Sequence, residues 1–143
     1  MHAIRHALQA LRGKRESKCI FKDTLKVEFS EHGESAKTTD FMRFKWNKTS
    51  GASFSVFIPA GFVCDGASVP RLLWAYASPW AGPWARPAVL HDYLLNTKIF
   101  PVALCDELFL DALLSCGCSC LRSVIMFLAV RAYTSLSKRY RNH

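Results

Sequence analysis

The sequence predicts an α+β domain: a small antiparallel sheet over about residues 19–58, packed against C-terminal helices, with a basic helix at the N-terminus. Three observations predict it. Between residues 25 and 58, apolar residues alternate with polar ones, the period of a half-buried strand. From residue 88 onward, apolar residues recur at three- and four-residue spacing between Pro and Gly breakpoints, the pattern of packed helices. The chain has 143 residues, half of them hydrophobic, which suits one domain with one substantial core.

The elements follow in order. In "MHAIRHALQALRGKR", Ile4, Ala7, Leu8 and Leu11 fall at helical spacing with Arg5 and Arg12 off that face. Residues 1–15 therefore read as a basic amphipathic arm, and residues 16–143 as a single α+β domain. Arginines interrupt the arm and it has no small-residue cleavage site, so it does not read as a secretory signal. Leu25, Val27 and Phe29 alternate with Lys26 and Glu28 as a first strand, and the polar stretch "EHGESAKTT" reads as a loop. Met42, Phe44 and Trp46, then Phe54, Val56 and Ile58, flank the turn "NKTSGA" and should pair as an antiparallel hairpin.

Pro87 suits the first turn of a helix running through "AVLHDYLLNT", and Pro101 and Gly117 bracket a second. Cys105, Leu108, Phe109, Ala112, Leu113 and Cys116 should form the buried stripe of that second helix. Leu121, Val124, Ile125, Leu128, Ala129 and Ala132 should do the same for the last. The apolar span 112–130 contains Arg122, Gly117 and a Ser/Cys cluster, so it reads as two buried helices and not as a membrane span of about 20 residues.

The net charge of +8 lies at the ends. Residues 1–22 carry six Lys/Arg against one acid, and residues 131–143 carry four Lys/Arg and no acid. The remaining span, with nine bases and ten acids, is near neutral. Basic termini suit DNA, an anionic membrane or an acidic protein surface, and equally suit solvated tails. A neutral body without a recognition motif argues against nucleic-acid binding as the main role. Six cysteines without a signal suggest reduced thiols in a cytoplasm. Cys116, Cys118 and Cys120 lack the Cys-x-x-Cys spacing of zinc loops and read as small apolar packing residues.

Two stretches carry chemistry-bearing residues. In "GFVCDGASVP", Gly61 and Gly66 permit tight turns, the carboxylate of Asp65 and hydroxyl of Ser68 can fold onto backbone N–H groups, and Pro70 can open a helix through "RLLW". This is a rigid corner between sheet and helices, and a structural role accounts for every residue in it. In "AVLHDYLL", His91 and Asp92 are adjacent on a helix and point about 100° apart, so neither is the other's main partner. A histidine needs a second group to fix its tautomer, and Asp65, Asp92 or Asp106 can supply it. His91, Asp92, Asp106 and Asp65 are the candidates for general-base chemistry; a hydrogen-bonded core histidine is the structural alternative.

"FIPAGFVCDGASVPRLLW", "AVLHDYLL", "CDELFLDALL" and "FLAVRAY" together resemble a phage and prophage domain-of-unknown-function family, number thirteen fifty-three. The resemblance covers about residues 54–133 and places Asp65, Gly66, Ser68, Pro70, His91, Asp92, Asp106 and Arg131 at characteristic positions. Cys64 stands where the family usually has Thr, Leu95 where it has Tyr, and Cys105 where Ala is common. The family carries no established activity. The resemblance implies a phage origin among morphogenesis or lysis genes, synthesis in the host cytoplasm and association with the virion.

A local likeness to small bacterial phospholipases is also present, because they pair a D-G-x-S stretch with a later helix bearing His-Asp. That likeness implies His91 as base, Asp106 as its orienting group, and Asp65 with Asp92 on the side of a calcium ion. No cofactor is otherwise indicated. The expected function is a virion-associated protein, in the tail or neck, that contacts other virion proteins and holds a buried Asp/His constellation. The alternative is a phospholipase-like His/Asp hydrolase acting on lipid or cell wall.

Overall fold

Alternation between Met42 and Ile58 closes as a hairpin because one face of each strand must leave water. The computed structural model describes residues 2–13, 17–32, 35–48, 50–64 and 82–137. Strand β4 (Met42–Lys48) pairs antiparallel with β5 (Ser53–Ile58), with Met42 opposite Ile58, Phe44 opposite Val56 and Trp46 opposite Phe54. Strand β1 (Ser17–Phe21) adds to the free side of β4, giving the order β1-β4-β5. Met42, Phe44, Trp46, Val56 and Ile58 are buried on the inner face, while Arg43 and Phe57 face solvent. Outside, the Arg43 guanidinium clasps Asp23 at 2.9 Å and holds its carboxyl below the usual carboxylate range.

The structure has a second three-stranded sheet, which the sequence did not reveal. It is built from β2 (Val27–Phe29), β3 (Ala36–Thr38) and β6 (Val63–Cys64). The strands span residues 17–64 in two sheets, whereas one sheet over 19–58 was expected. Strand β3 is three residues long inside a polar stretch, too short to show a period. Strand β2 lies on the sheet edge, so Phe29 is exposed despite the alternation around it. Thr38 fastens this sheet to the turn after β5. Its hydroxyl donates to the Pro59 carbonyl at 2.8 Å and accepts from the Phe62 N–H at 2.9 Å. Its carbonyl accepts from the Gly61 N–H at 2.7 Å. Gly61 has φ +88°, a left-handed conformation that a side chain would strain, so the expected turn at this glycine is present.

The described helices are α1 (His2–Leu11), α2 (Ala85–Thr97), α3 (Val102–Ser115) and α4 (Cys120–Leu136). Pro87 sits in the first turn of α2, and Pro101 is the N-cap of α3. Valine and leucine positions of α2 (Val89, Leu90, Leu94, Leu95) and Cys105, Leu108 and Ala112 of α3 pack onto β1, β4 and β5 as the main core. Fully burying one such side chain contributes about 1.5–3 kcal/mol, so this layer supplies much of the folding free energy. Polar ties set the angle of sheet and helices: Trp46 Nε1 donates to Asp111 at 3.2 Å, and the Cys19 N–H donates to the Ser115 hydroxyl at 3.2 Å.

Two expected stripes are corrected. On α4, Val124 is buried as expected, but Leu121, Ile125 and Leu128 are exposed, and the inward side is Ser123, Val124, Met126, Phe127, Val130 and Thr134. This helix is apolar nearly all round, so periodicity could not fix its rotation; anchoring of Arg131 and Thr134 to α3 does. On α1, Ala7 and Ala10 are buried against Leu110, Val124 and Phe127, while Ile4, Leu8 and Leu11 face solvent. Small residues let the helix backbone approach closely, and the larger ones are left outside.

Candidate active site

Antiparallel packing of α2 against α3 brings His91 and Asp106 together. His91 sits mid-helix among Val89, Leu90, Leu94 and Leu95, so the ring is carried inward with the core face. Asp106 is carried inward beside Cys105, Leu108 and Phe109. His91 Nε2 lies 2.6 Å from Asp106 Oδ1, and both side chains are 0% exposed. The other carboxylate oxygen accepts from Arg131 Nη1 at 2.9 Å and from the Thr134 hydroxyl at 2.7 Å, both on α4. Asp106 therefore ties three helices through three donors, two of which can be cationic.

The geometry assigns a proton to Nε2. A carboxylate held by Arg131 and Thr134 is an acceptor, so Nε2 carries the proton it donates to Asp106. Nδ1 is buried with no hydrogen-bond partner among the described residues. Phe109, with its ring centroid 5.0 Å from the imidazole, packs beside it and limits rotation. The arrangement is a histidine oriented at one nitrogen and, among the described residues, uncommitted at the other, which is the requirement for a general base.

The sequence candidates fare differently. His91 and Asp106, expected as base and orienting group, lie within hydrogen-bond distance. Arg131, placed by the family resemblance alone, joins them. Asp92 is buried one position on, and its backbone carbonyl accepts from Asn96 Nδ2 at 2.7 Å. Asp65, Gly66, Ser68 and Pro70, with the expected "RLLW" helix, lie outside the described residues. Thr134 was missed: it stands between the hydroxyl-bearing Tyr133 and Ser135, and nothing in the sequence sets it apart from them. Leu95 is buried in the core and offers no hydroxyl.

The phospholipase likeness puts calcium beside Asp65 and Asp92, and Asp65 lies outside the described residues. Both oxygens of Asp106 are already taken by donors, so it is no ligand. Among the described residues, no three His, Cys, Asp or Glu side chains converge to hold a metal ion. The Cys105 and Cys118 thiols are poorly suited to act as nucleophiles. Burial, and then the charge of Asp106, push the Cys105 thiol up to about 12; burial and then Cys116 push Cys118 to about 11, with Arg122 opposing. Neither holds appreciable thiolate near neutral pH.

A family model described as "Protein of unknown function (DUF1353)" matches residues 41–130, more than half of the chain, and these contain the hairpin, α2, α3 and most of α4. The chain belongs to the DUF1353 family. It is 33% identical over 70 residues to "Uncharacterized protein y4iH" of Sinorhizobium fredii, covering 48% of this chain and 29% of the relative. It is 34% identical over 56 residues to "Uncharacterized protein y4jT" of the same organism, covering 38% of this chain and 16% of the relative. The match thus spans less than a third of either relative's length. No solved structure matches.

Proposed function

We propose that this DUF1353 protein is a His/Asp hydrolase of carboxylic esters, with lipid esters as the substrate class and His91 as its general base. The observation that carries the reading is the asymmetry of His91: Nε2 is gripped by Asp106 at 2.6 Å, and Nδ1 is uncommitted among the described residues. In the reaction, Nδ1 takes a proton from water as its oxygen adds to the ester carbonyl. Asp106, fixed by Arg131 and Thr134, stabilises the imidazolium. The imidazolium then returns the proton to the departing alkoxide, giving one acid and one alcohol. His91 is 0% exposed at rest, so a movement that admits substrate to Nδ1 is part of the proposal.

A second reading, a virion-associated protein of phage origin in which the same group is structural, is favoured by one observation. His91, Asp106 and Thr134 are all buried, and with Arg131 they cross-link α2, α3 and α4. His91→Ala separates the readings. A general base lost from a folded protein lowers turnover roughly 100-fold or more with little change in melting temperature. A structural partner lost leaves a buried carboxylate short of a donor, destabilising by about 1–3 kcal/mol. The assay follows release of fatty acid from phospholipid and of fragments from purified cell wall, beside thermal melts. Wild-type release of fatty acid that disappears in a stable variant supports the hydrolase. No release from either material, with a sharply lowered melt, supports the structural reading; release from cell wall alone moves the substrate class from lipid to wall.

A further inference from the structure

The corrected rotations of α1 and α4 leave apolar side chains where a globular surface rarely keeps them. On α1, Ile4, Leu8 and Leu11 are exposed, Leu8 by 46%. On α4, Leu121, Ile125 and Leu128 are exposed, Leu121 by 65%. Both sets follow the spacing i, i+4, i+7, so each forms a stripe along its helix. The stripes are carried on a rigid base. Ala7, Ala10, Val124 and Phe127 form one buried cluster joining the two helices, and Leu8, Leu11, Ile125 and Leu128 each directly follow a member of it. Scattered exposed leucines need no explanation, whereas two stripes on packed neighbouring helices mark an interaction face.

Charge identifies the occupant. Neither α1 nor α4 contains an acidic residue, and Arg5 and Arg12 are exposed at α1; the sequence beyond α4 adds Lys138, Arg139 and Arg141, while Arg131 within α4 is paired with Asp106. A second copy of the chain would set these basic elements against their own kind in a two-fold contact, which like charges oppose. DNA would satisfy the arginines but gain nothing from six aliphatic side chains. An anionic bilayer rewards both, through headgroup charge and apolar insertion. No helix among the described residues is long and apolar enough to cross a membrane, so the mode is one of lying on the surface.

We propose that α1 and α4 together form a docking face for an anionic lipid surface. The face is distinct from His91 and goes beyond the hydrolase reading without resting on it. The test is flotation of the full chain with vesicles of phosphatidylcholine mixed with phosphatidylglycerol, and of phosphatidylcholine alone. Binding is expected on the anionic vesicles and much less on the neutral ones. The pairs Leu8→Ser with Leu11→Ser, and Leu121→Ser with Leu128→Ser, should each lower binding roughly tenfold or more, because each leucine inserts. Arg5→Gln and Arg12→Gln should lower it roughly fivefold each. Unchanged melting temperatures would show that all these variants are folded. The proposal is overturned by no flotation of wild type, by loss confined to one helix's variants, or by equal binding to both vesicles. A wild-type dimer broken by the same leucine changes without flotation, or retention on DNA without flotation, overturns it also. Failures of the two proposals are distinguishable: flotation without hydrolysis leaves docking intact, and hydrolysis of a soluble short-chain ester without flotation leaves only the hydrolase.

Discussion

Asp106→Asn perturbs the group on which the site depends while keeping its shape. The carboxylate accepts three hydrogen bonds, from His91 Nε2 at 2.6 Å, Arg131 Nη1 at 2.9 Å and Thr134 Oγ1 at 2.7 Å, and it is fully buried. An asparagine has one acceptor oxygen and an N–H donor pair. If the oxygen faces Arg131 and Thr134, the amide N–H faces Nε2, which must then give up its proton. The imidazole switches to the Nδ1–H tautomer and loses its free lone pair. If the oxygen faces His91, the amide meets Arg131, which cannot accept, although its guanidinium is partly exposed and can turn to water. Either way at least one charge-assisted bond is lost, worth about 1.5–3 kcal/mol, and disruption of a buried pair raises the total to about 3–5 kcal/mol. For a domain near this size, that lowers the melting temperature by roughly 10 °C. Turnover should fall by roughly 100- to 10,000-fold even at temperatures where the variant is fully folded. The assay is urea unfolding followed by fatty-acid release at matched folded fraction. An Asn variant as stable and as active as wild type would refute the reasoning, because Asp106 would then be neither charged partner nor orienting group.

Thr134→Val removes only one of the three donors and keeps the volume, so it should destabilise by about 1–2 kcal/mol in urea unfolding, less than Asp106→Asn. The Cys105 thiol is raised from 9.0 to about 12, chiefly by burial, so the folded chain keeps this proton while the unfolded chain loses it. Its stabilisation is complete below pH 9 and is lost between about pH 9 and 12, at up to about 1.4 kcal/mol per pH unit. Cys105→Ala should accordingly flatten the alkaline fall in melting temperature relative to wild type, whatever it does near neutral pH. The neighbouring residues Phe127 and Leu128 test the rotation of α4: Phe127→Ala should cost about 3–5 kcal/mol, and Leu128→Ala should change thermal stability by less than about 0.5 kcal/mol.

The hairpin of β4 and β5 was legible because a two-residue period over half-buried strands has one solution that hides Met42, Phe44 and Trp46. Helices α2 and α3 were legible because Pro87, Pro101 and Gly117 mark their ends and their apolar residues recur at helical spacing. The rotations of α1 and α4 were not. Each has more apolar positions than its buried face can hold, so the outcome depends on alanine-mediated approach for α1 and on Asp106 for α4, both tertiary facts. The second sheet was hidden for another reason: strands of two or three residues are held by partners and by the Thr38 hydroxyl, and they carry no period of their own. At the site, His91 and Asp106 could be named from residue type and helix spacing. Which nitrogen Asp106 holds, and that Thr134 completes its shell, required coordinates.

The most direct test of the account is the tautomer of His91 in the wild-type protein, read from the nitrogen chemical shifts of histidine labelled with nitrogen-15 at the pH of the hydrolysis assay. The account predicts a proton on Nε2, shared toward Asp106, and an Nδ1 with the shift of a bare ring nitrogen. A proton found on Nδ1, in either the other neutral tautomer or the imidazolium, would contradict it.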